Sequence, residues 1–161
     1  MRLPLSFVAG DRSCIRVKAM LIAPNAAGTA HAVSLNVPTA ENPSGYHRLI
    51  GGSVEPGEKH RAAIEREVRE ELGASIRDLT FLAPVENIFR IDGEPGHEIV
   101  FVYTGRLDPA PAESGATMTE IDGTVLPVVW RPIDDGDESL PLYPAAVAVL
   151  VRGLIRATPR T

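Results

Sequence analysis

A chain of 161 residues, 44% hydrophobic and 23% charged, is long enough to bury a core and short enough to form one domain over residues 1–161. Its formal net charge of −5 excludes a general grip on nucleic-acid phosphates, which needs clustered Lys and Arg, so a phosphate-bearing ligand calls for a divalent cation between it and the protein. Apolar stretches 17–23 and 99–103 are too short to span a bilayer, residues 1–11 lack the basic-then-apolar pattern of a leader, and the single cysteine, Cys14, allows no intrachain disulfide, so the expected setting is cytoplasmic.

In chain order, residues 16–23 and 31–37 are rich in apolar and β-branched side chains and predict two strands, with Cys14 read as a small apolar strand residue. Pro24, Asn25 and Gly28 between them suit a hairpin. Residues 38–45 form a loop, and the short apolar piece 47–50 runs into Gly51-Gly52. Helical periodicity begins near Glu58, after the turn residues Pro56-Gly57, and stops at Gly73, a natural C-terminal cap.

Residues 76–91 and 98–104 read as strands, and the run 99–103 is apolar on both faces, which requires layers above and below the sheet. Residues 108–123 show no clear periodicity, and so long a connection in a compact domain points to function. A strand over 125–130 follows. Pro144 then opens a second helix with Val147, Leu150, Val151, Leu154 and Ile155 on one stripe. These elements imply a three-layer α/β/α sandwich around a mixed sheet, with one helix on each side.

The first helix carries the chemistry. At about 100° per residue, Ile64, Val68 and Leu72 form an apolar stripe while Glu67, Glu70 and Glu71 share an adjacent arc. Like charges three and four residues apart each cost a helix a few tenths of a kcal/mol unless a cation neutralises them. Mg²⁺ suits the position, being a hard ion that takes oxygen ligands and keeps waters and phosphates in its shell. The competing reading is a solvated acidic face partnered by Arg66 and Arg69.

From Gly52 the chain reads glycine, five residues, Glu58, seven residues, Arg66-Glu67, Val68, one residue, Glu70-Glu71, one residue, Gly73 and Ala74. This segment resembles the Nudix box and matches all its fixed polar and glycine positions. Ala74 stands where a larger aliphatic residue is usual, with Ile76 placed to supply that packing, and Ile50 stands where many members have proline. The flanking strands, the long loop, Trp130-Arg131-Pro132 and a terminal helix are similar to the rest of a Nudix domain.

The resemblance implies a Nudix fold and a hydrolase that cleaves the diphosphate linkage of a nucleoside diphosphate joined to another moiety, with Mg²⁺ or Mn²⁺ as cofactor. It makes Glu70 and Glu71 metal ligands, with the carbonyl of Gly51 a further one, and Glu67 either a ligand or the general base for the attacking water. Glu67 is the first choice for base and Glu70 the second. Glu58 and Arg66 would pair behind the ligands, and Gly52 and Gly57 would serve the backbone. A further acidic ligand from outside the box is expected among Glu98, Glu113 and Glu120, with Glu120 favoured by its place in the long loop; His97 is an alternative base. Family habit also suggests a homodimer. At the positions within 81–92 where ADP-ribose and ADP-sugar members carry a proline and dinucleoside polyphosphate members a tyrosine, this chain has neither, so the substrate stays open.

Three other readings compete. A diphosphate isomerase of the same superfold needs a catalytic cysteine, and Cys14 lies far upstream of the box. A non-catalytic Nudix-like nucleotide-binding module usually shows a broken box, and this one is complete. The third is an acidic interaction protein with no small-molecule site, which inability to bind Mg²⁺ at millimolar levels would favour.

Overall fold

In the computed structural model, residues 14–157 are described, with side chains to residue 154. The opening stretch 1–11 and the side chain of Ile155, both used above, lie outside the described residues. Among the described residues are eight strands and two α-helices: β1 (Arg16–Ile22), β2 (Ala30–Asn36), β3 (Tyr46–Ser53), α1 (His60–Leu72), β4 (Ser75–Ile91), β5 (Glu94–Asp108), β6 (Ala116–Thr119), β7 (Val125–Pro132), β8 (Leu142–Tyr143) and α2 (Ala148–Ala157). The sheet runs β4-β5-β1-β3-β2-β7-β6, with β8 beside β3. It is mixed, because β1 lies parallel to β5 and β8 parallel to β3 while the other pairs are antiparallel.

Apolar clusters line both faces. One gathers Ala19, Leu21, Ile50 and Tyr103 with Ala63, Ile64 and Val68 of α1; the other gathers Met20, Ile22, Val100 and Val102 with Val147 and Val151 at the α2 end. This is the expected three-layer arrangement. Burying Ile64 and Val68 completely stabilises the α1 contact by about 1.5–3 kcal/mol each. Helix α1 ends at Gly73, whose φ of 63° lets its N–H return to the Arg69 carbonyl at 3.0 Å. Ala74 is buried, with Ile76 packed against the same cluster.

Four expectations need correction. Strands β1 and β2 are not a hairpin: β3 lies between them, and only a Pro24–His31 bridge joins their ends. Cys14 is exposed and precedes β1. The stretch 108–123 is not all loop, since it contains β6, whose single buried residue Met118 anchors it to the α1 cluster. Pro144 leads into a 3₁₀ turn (Ala145–Val147), and the α-helix starts only at Ala148.

Candidate active site

Strand β3 ends in Gly51-Gly52-Ser53, still paired with β1, and the chain then turns at 54–59 into α1. A Cβ on Gly52 would overlap the Glu67 carboxylate, so any larger residue there would displace that side chain. Gly51 has φ 148°, and a Cβ there would strike the Ala19 carbonyl of β1. Gly51 thus lets β3 lie close against β1, and Gly52 leaves room for the Glu67 carboxylate of α1.

Arg66 ties this corner together. Its Nε and Nη2 donate to the two carboxylate oxygens of Glu58 at 2.8 and 2.9 Å, and Nη2 also donates to the Ser53 carbonyl at 3.0 Å. Nη1 reaches Glu67 at 3.0 Å and Glu70 at 3.1 Å. The hydrogen bonds from Arg66 hold the Glu58 carboxyl below the usual carboxylate range, and Glu58, then Glu67, push the guanidinium further above its ordinary value. Glu58 reaches back to the loop as well, accepting from the Glu55 backbone N–H at 3.2 Å.

In front of this brace lies a cleft of about 340 Å³ whose lining combines Gly51, Glu67, Glu70, Glu71 and Glu120 with the cationic Arg16, Lys18 and Arg48. The Glu71 carboxyl is pushed up to about 9 by burial, and next by the nearby charges of Glu120 and Glu67. Its Oε2 is buried without a hydrogen-bond partner. Lys18 donates to Ser53 Oγ at 2.8 Å, and its ammonium is lowered by burial and by Arg48.

A buried, partnerless carboxylate oxygen beside two further carboxylates is the donor chemistry that suits a hard divalent ion. Among the described residues, however, no three His, Cys, Asp or Glu side chains converge into a ready coordination shell. Arg66 accounts for this, because it engages Glu67 and Glu70, and the Glu70 side chain remains 54% exposed. An ion bridging Glu71 and its neighbours would compete with Arg66 for these carboxylates while removing their mutual repulsion.

The structure therefore brings Gly51, Glu67, Glu70, Glu71 and Glu120 to one cleft and sets Glu58 and Arg66 behind it. Glu120 arrives because β6 packs on α1 and an Asp122-Gly123 turn, with Gly123 at φ 86°, returns the chain to β7. Other candidates go elsewhere. Glu113 lies in a separate recess with Trp130, Glu98 is buried in an adjoining pocket, and His97 pairs with Glu86 at 3.1 Å. The cationic residues Arg16, Lys18 and Arg48 were not singled out in the sequence. Their signal was weak: charged residues on two otherwise apolar strands that only the sheet order places side by side.

The profile of the NUDIX domain matches residues 31–150. Among solved structures, a MutT NUDIX hydrolase from Burkholderia pseudomallei is similar with a TM-score of 0.60 at 24% identity, covering 90% of this chain and 99% of that one. A NUDIX hydrolase from Nitrosomonas europaea gives 0.62 at 16% identity, over 89% and 90% of the two chains. An ADP compounds hydrolase gives 0.54 at 22% identity, over 88% of this chain and 71% of that one. These likenesses show the shared fold. No curated protein matches the sequence.

Proposed function

The chain belongs to the NUDIX family and is a hydrolase of its pyrophosphohydrolase class, and on that premise we propose that it uses Mg²⁺ to cleave the diphosphate linkage of a nucleoside diphosphate joined to another moiety. The observation that carries this reading is Glu71, whose buried, unpaired oxygen and raised protonation beside Glu67 and Glu120 call for a cation, in a cleft also lined by Arg16, Lys18 and Arg48. Mg²⁺, or Mn²⁺ in its place, would neutralise the phosphate oxygens, activate water and stabilise the leaving phosphate.

Glu70 and Glu71 would hold the ion with the Gly51 carbonyl and Glu120. Glu67, set against Gly52, would take the proton from the attacking water, with Glu70 the second choice. Arg48 and Lys18 would receive the phosphate oxygens, giving a protein of net charge −5 a local cationic contact for an anion. Glu58 and Arg66 would keep the helix in register with the strand. We also read the protein as a cytoplasmic homodimer; light scattering tests the assembly.

An assay of phosphate-monoester release from a panel of nucleoside diphosphate derivatives, with and without Mg²⁺, tests the proposal. Because one structural neighbour carries the name of an ADP compounds hydrolase, ADP derivatives head the panel. Metal-dependent cleavage of at least one member is expected. Tight binding of these compounds without cleavage of any would instead favour a non-catalytic nucleotide-binding module.

A further inference from the structure

On the α2 face of the sheet lies a buried polar cluster that the proposed chemistry does not use. His31, His47 and Arg131 are each buried, two residues from Val33, Leu49 and Val129, which pack in the α2-side core. Arg131 lies opposite His31 in the β2–β7 register, and its Nη1 meets His47 Nδ1 of β3 at 3.0 Å. We infer that Arg131 is an acid-released latch: it holds the 133–141 connection and β8 on the sheet only while His47 and His31 are neutral, and acid frees that segment before the rest of the fold opens.

One guanidinium fastens the chain that follows it. Arg131 Nη1 donates to the Leu140 carbonyl at 2.6 Å and Nη2 to Asp135 Oδ2 at 2.9 Å, while the His47 backbone N–H donates to the Pro141 carbonyl at 2.9 Å. Leu142 of β8 then packs in the α2-side core. A guanidinium only donates, so the His47 nitrogen that faces it is an unprotonated acceptor and the ring is neutral. A proton on Nδ1 would set N–H against N–H and place a second positive charge beside Arg131. His31 resists protonation for another reason. Both of its ring nitrogens, like Arg131 Nε, are buried without a hydrogen-bond partner among the described residues, so an imidazolium there would have no acceptor for either N–H.

The surrounding charges set the sign. Burial and then Arg131 lower His47 against the pull of Glu138, and burial, then Arg131 and His47, lower His31 to about 4 against the pull of Asp135. Asp135 is bonded to Arg131 and also feels Arg152 of α2. Arg131 and Arg152 thus balance Asp135 and Glu138 with both imidazoles neutral, and each proton taken up leaves an uncompensated charge. Both histidines sit below the ordinary 6.5 when the segment is closed, so the closed form binds fewer protons than the open one. The latch is therefore fully fastened above that ordinary value and weakens as pH falls below it. Release reaches the cleft, because Tyr143 of β8 is in register with Arg48, which lines it.

The test is amide hydrogen exchange read by mass spectrometry between about pH 7 and about pH 4.5, comparing protection of the segment 138–143 with that of β1. Protection of 138–143 should fall by up to about tenfold per pH unit for each proton taken up, while that of β1 holds. His47→Asn keeps an acceptor for Arg131 but takes no proton, and it should remove most of the fall. Should that variant not fold, His31→Leu, which removes the other imidazole, should make the fall shallower. Constant protection of 138–143 in the wild type across the range, a parallel loss in β1, or a fall as steep in the folded variant as in the wild type overturns the assignment.

Discussion

Replacing Glu71 with Gln should stabilise the metal-free protein at neutral and alkaline pH. The Glu71 carboxyl titrates near 9 in the folded chain against an ordinary value of 4.5, chiefly through burial. Between those values the folded state keeps a proton that the unfolded state releases, so stability falls as pH rises across the window. The slope is about 1.4 kcal/mol per pH unit, so the fall from pH 4.5 to 7.5 is at most roughly 4 kcal/mol for a single site. Gln carries no such proton, and the variant should match the wild type near pH 4.5 and exceed it by a few kcal/mol at pH 7.5. For a chain of this size that is on the order of 10 °C in Tm. Metal narrows the gap: an ion present at 100 times its Kd adds about 2.7 kcal/mol to the wild type and little to a variant that has lost a ligand. Differential scanning calorimetry over pH 4.5–8.5, with EDTA and with Mg²⁺, measures all four arms. A variant less stable than wild type at every pH without metal, and equally stabilised by Mg²⁺, would refute the reasoning.

Gly52→Ala inserts a methyl where the Glu67 carboxylate sits, and turnover should fall about 10²-fold or more in a steady-state assay while circular dichroism stays native. Arg66→Lys cannot reproduce the two-pronged grip on Glu58; the expected cost is about 1–3 kcal/mol of stability by urea titration, with a loss of rate that extra Mg²⁺ does not restore. Glu120→Gln should move the Mg²⁺ midpoint of activity to higher concentration and recover most of its rate at saturation, because a lost ligand is offset by mass action.

Local signals were legible in the sequence where the structure itself is local. The stripe Ile64, Val68 and Leu72, the cap at Gly73 and the arc Glu67, Glu70 and Glu71 all follow from helical periodicity, and Ile64 and Val68 are indeed fully buried. The Arg66–Glu58 contact spans only eight residues. What periodicity could not supply was the order of strands. The insertion of β3 between β1 and β2 overturns the hairpin and brings Lys18 to Ser53, 35 residues away, and together with the β1–β5 pairing it brings Arg48 to Glu98, 50 residues away. Strand β6 was hidden because only Met118 of its four residues is buried, too little for a period-two pattern. Its Asp122-Gly123 turn was the available clue. Asp92-Gly93, with φ of 50° and 82°, was another: it closes β4 onto β5 in a tight turn.

The central claim, that glutamates on α1 hold a metal and activate water there, is tested most directly by turnover of the wild-type, Glu67→Gln and Glu71→Gln proteins on a cleaved diphosphate substrate as Mg²⁺ is raised. Glu67→Gln should lose about 10²- to 10⁴-fold in kcat at every Mg²⁺ concentration, whereas Glu71→Gln should regain part of its loss as Mg²⁺ increases. Wild-type turnover in both variants, independent of Mg²⁺, would contradict the account.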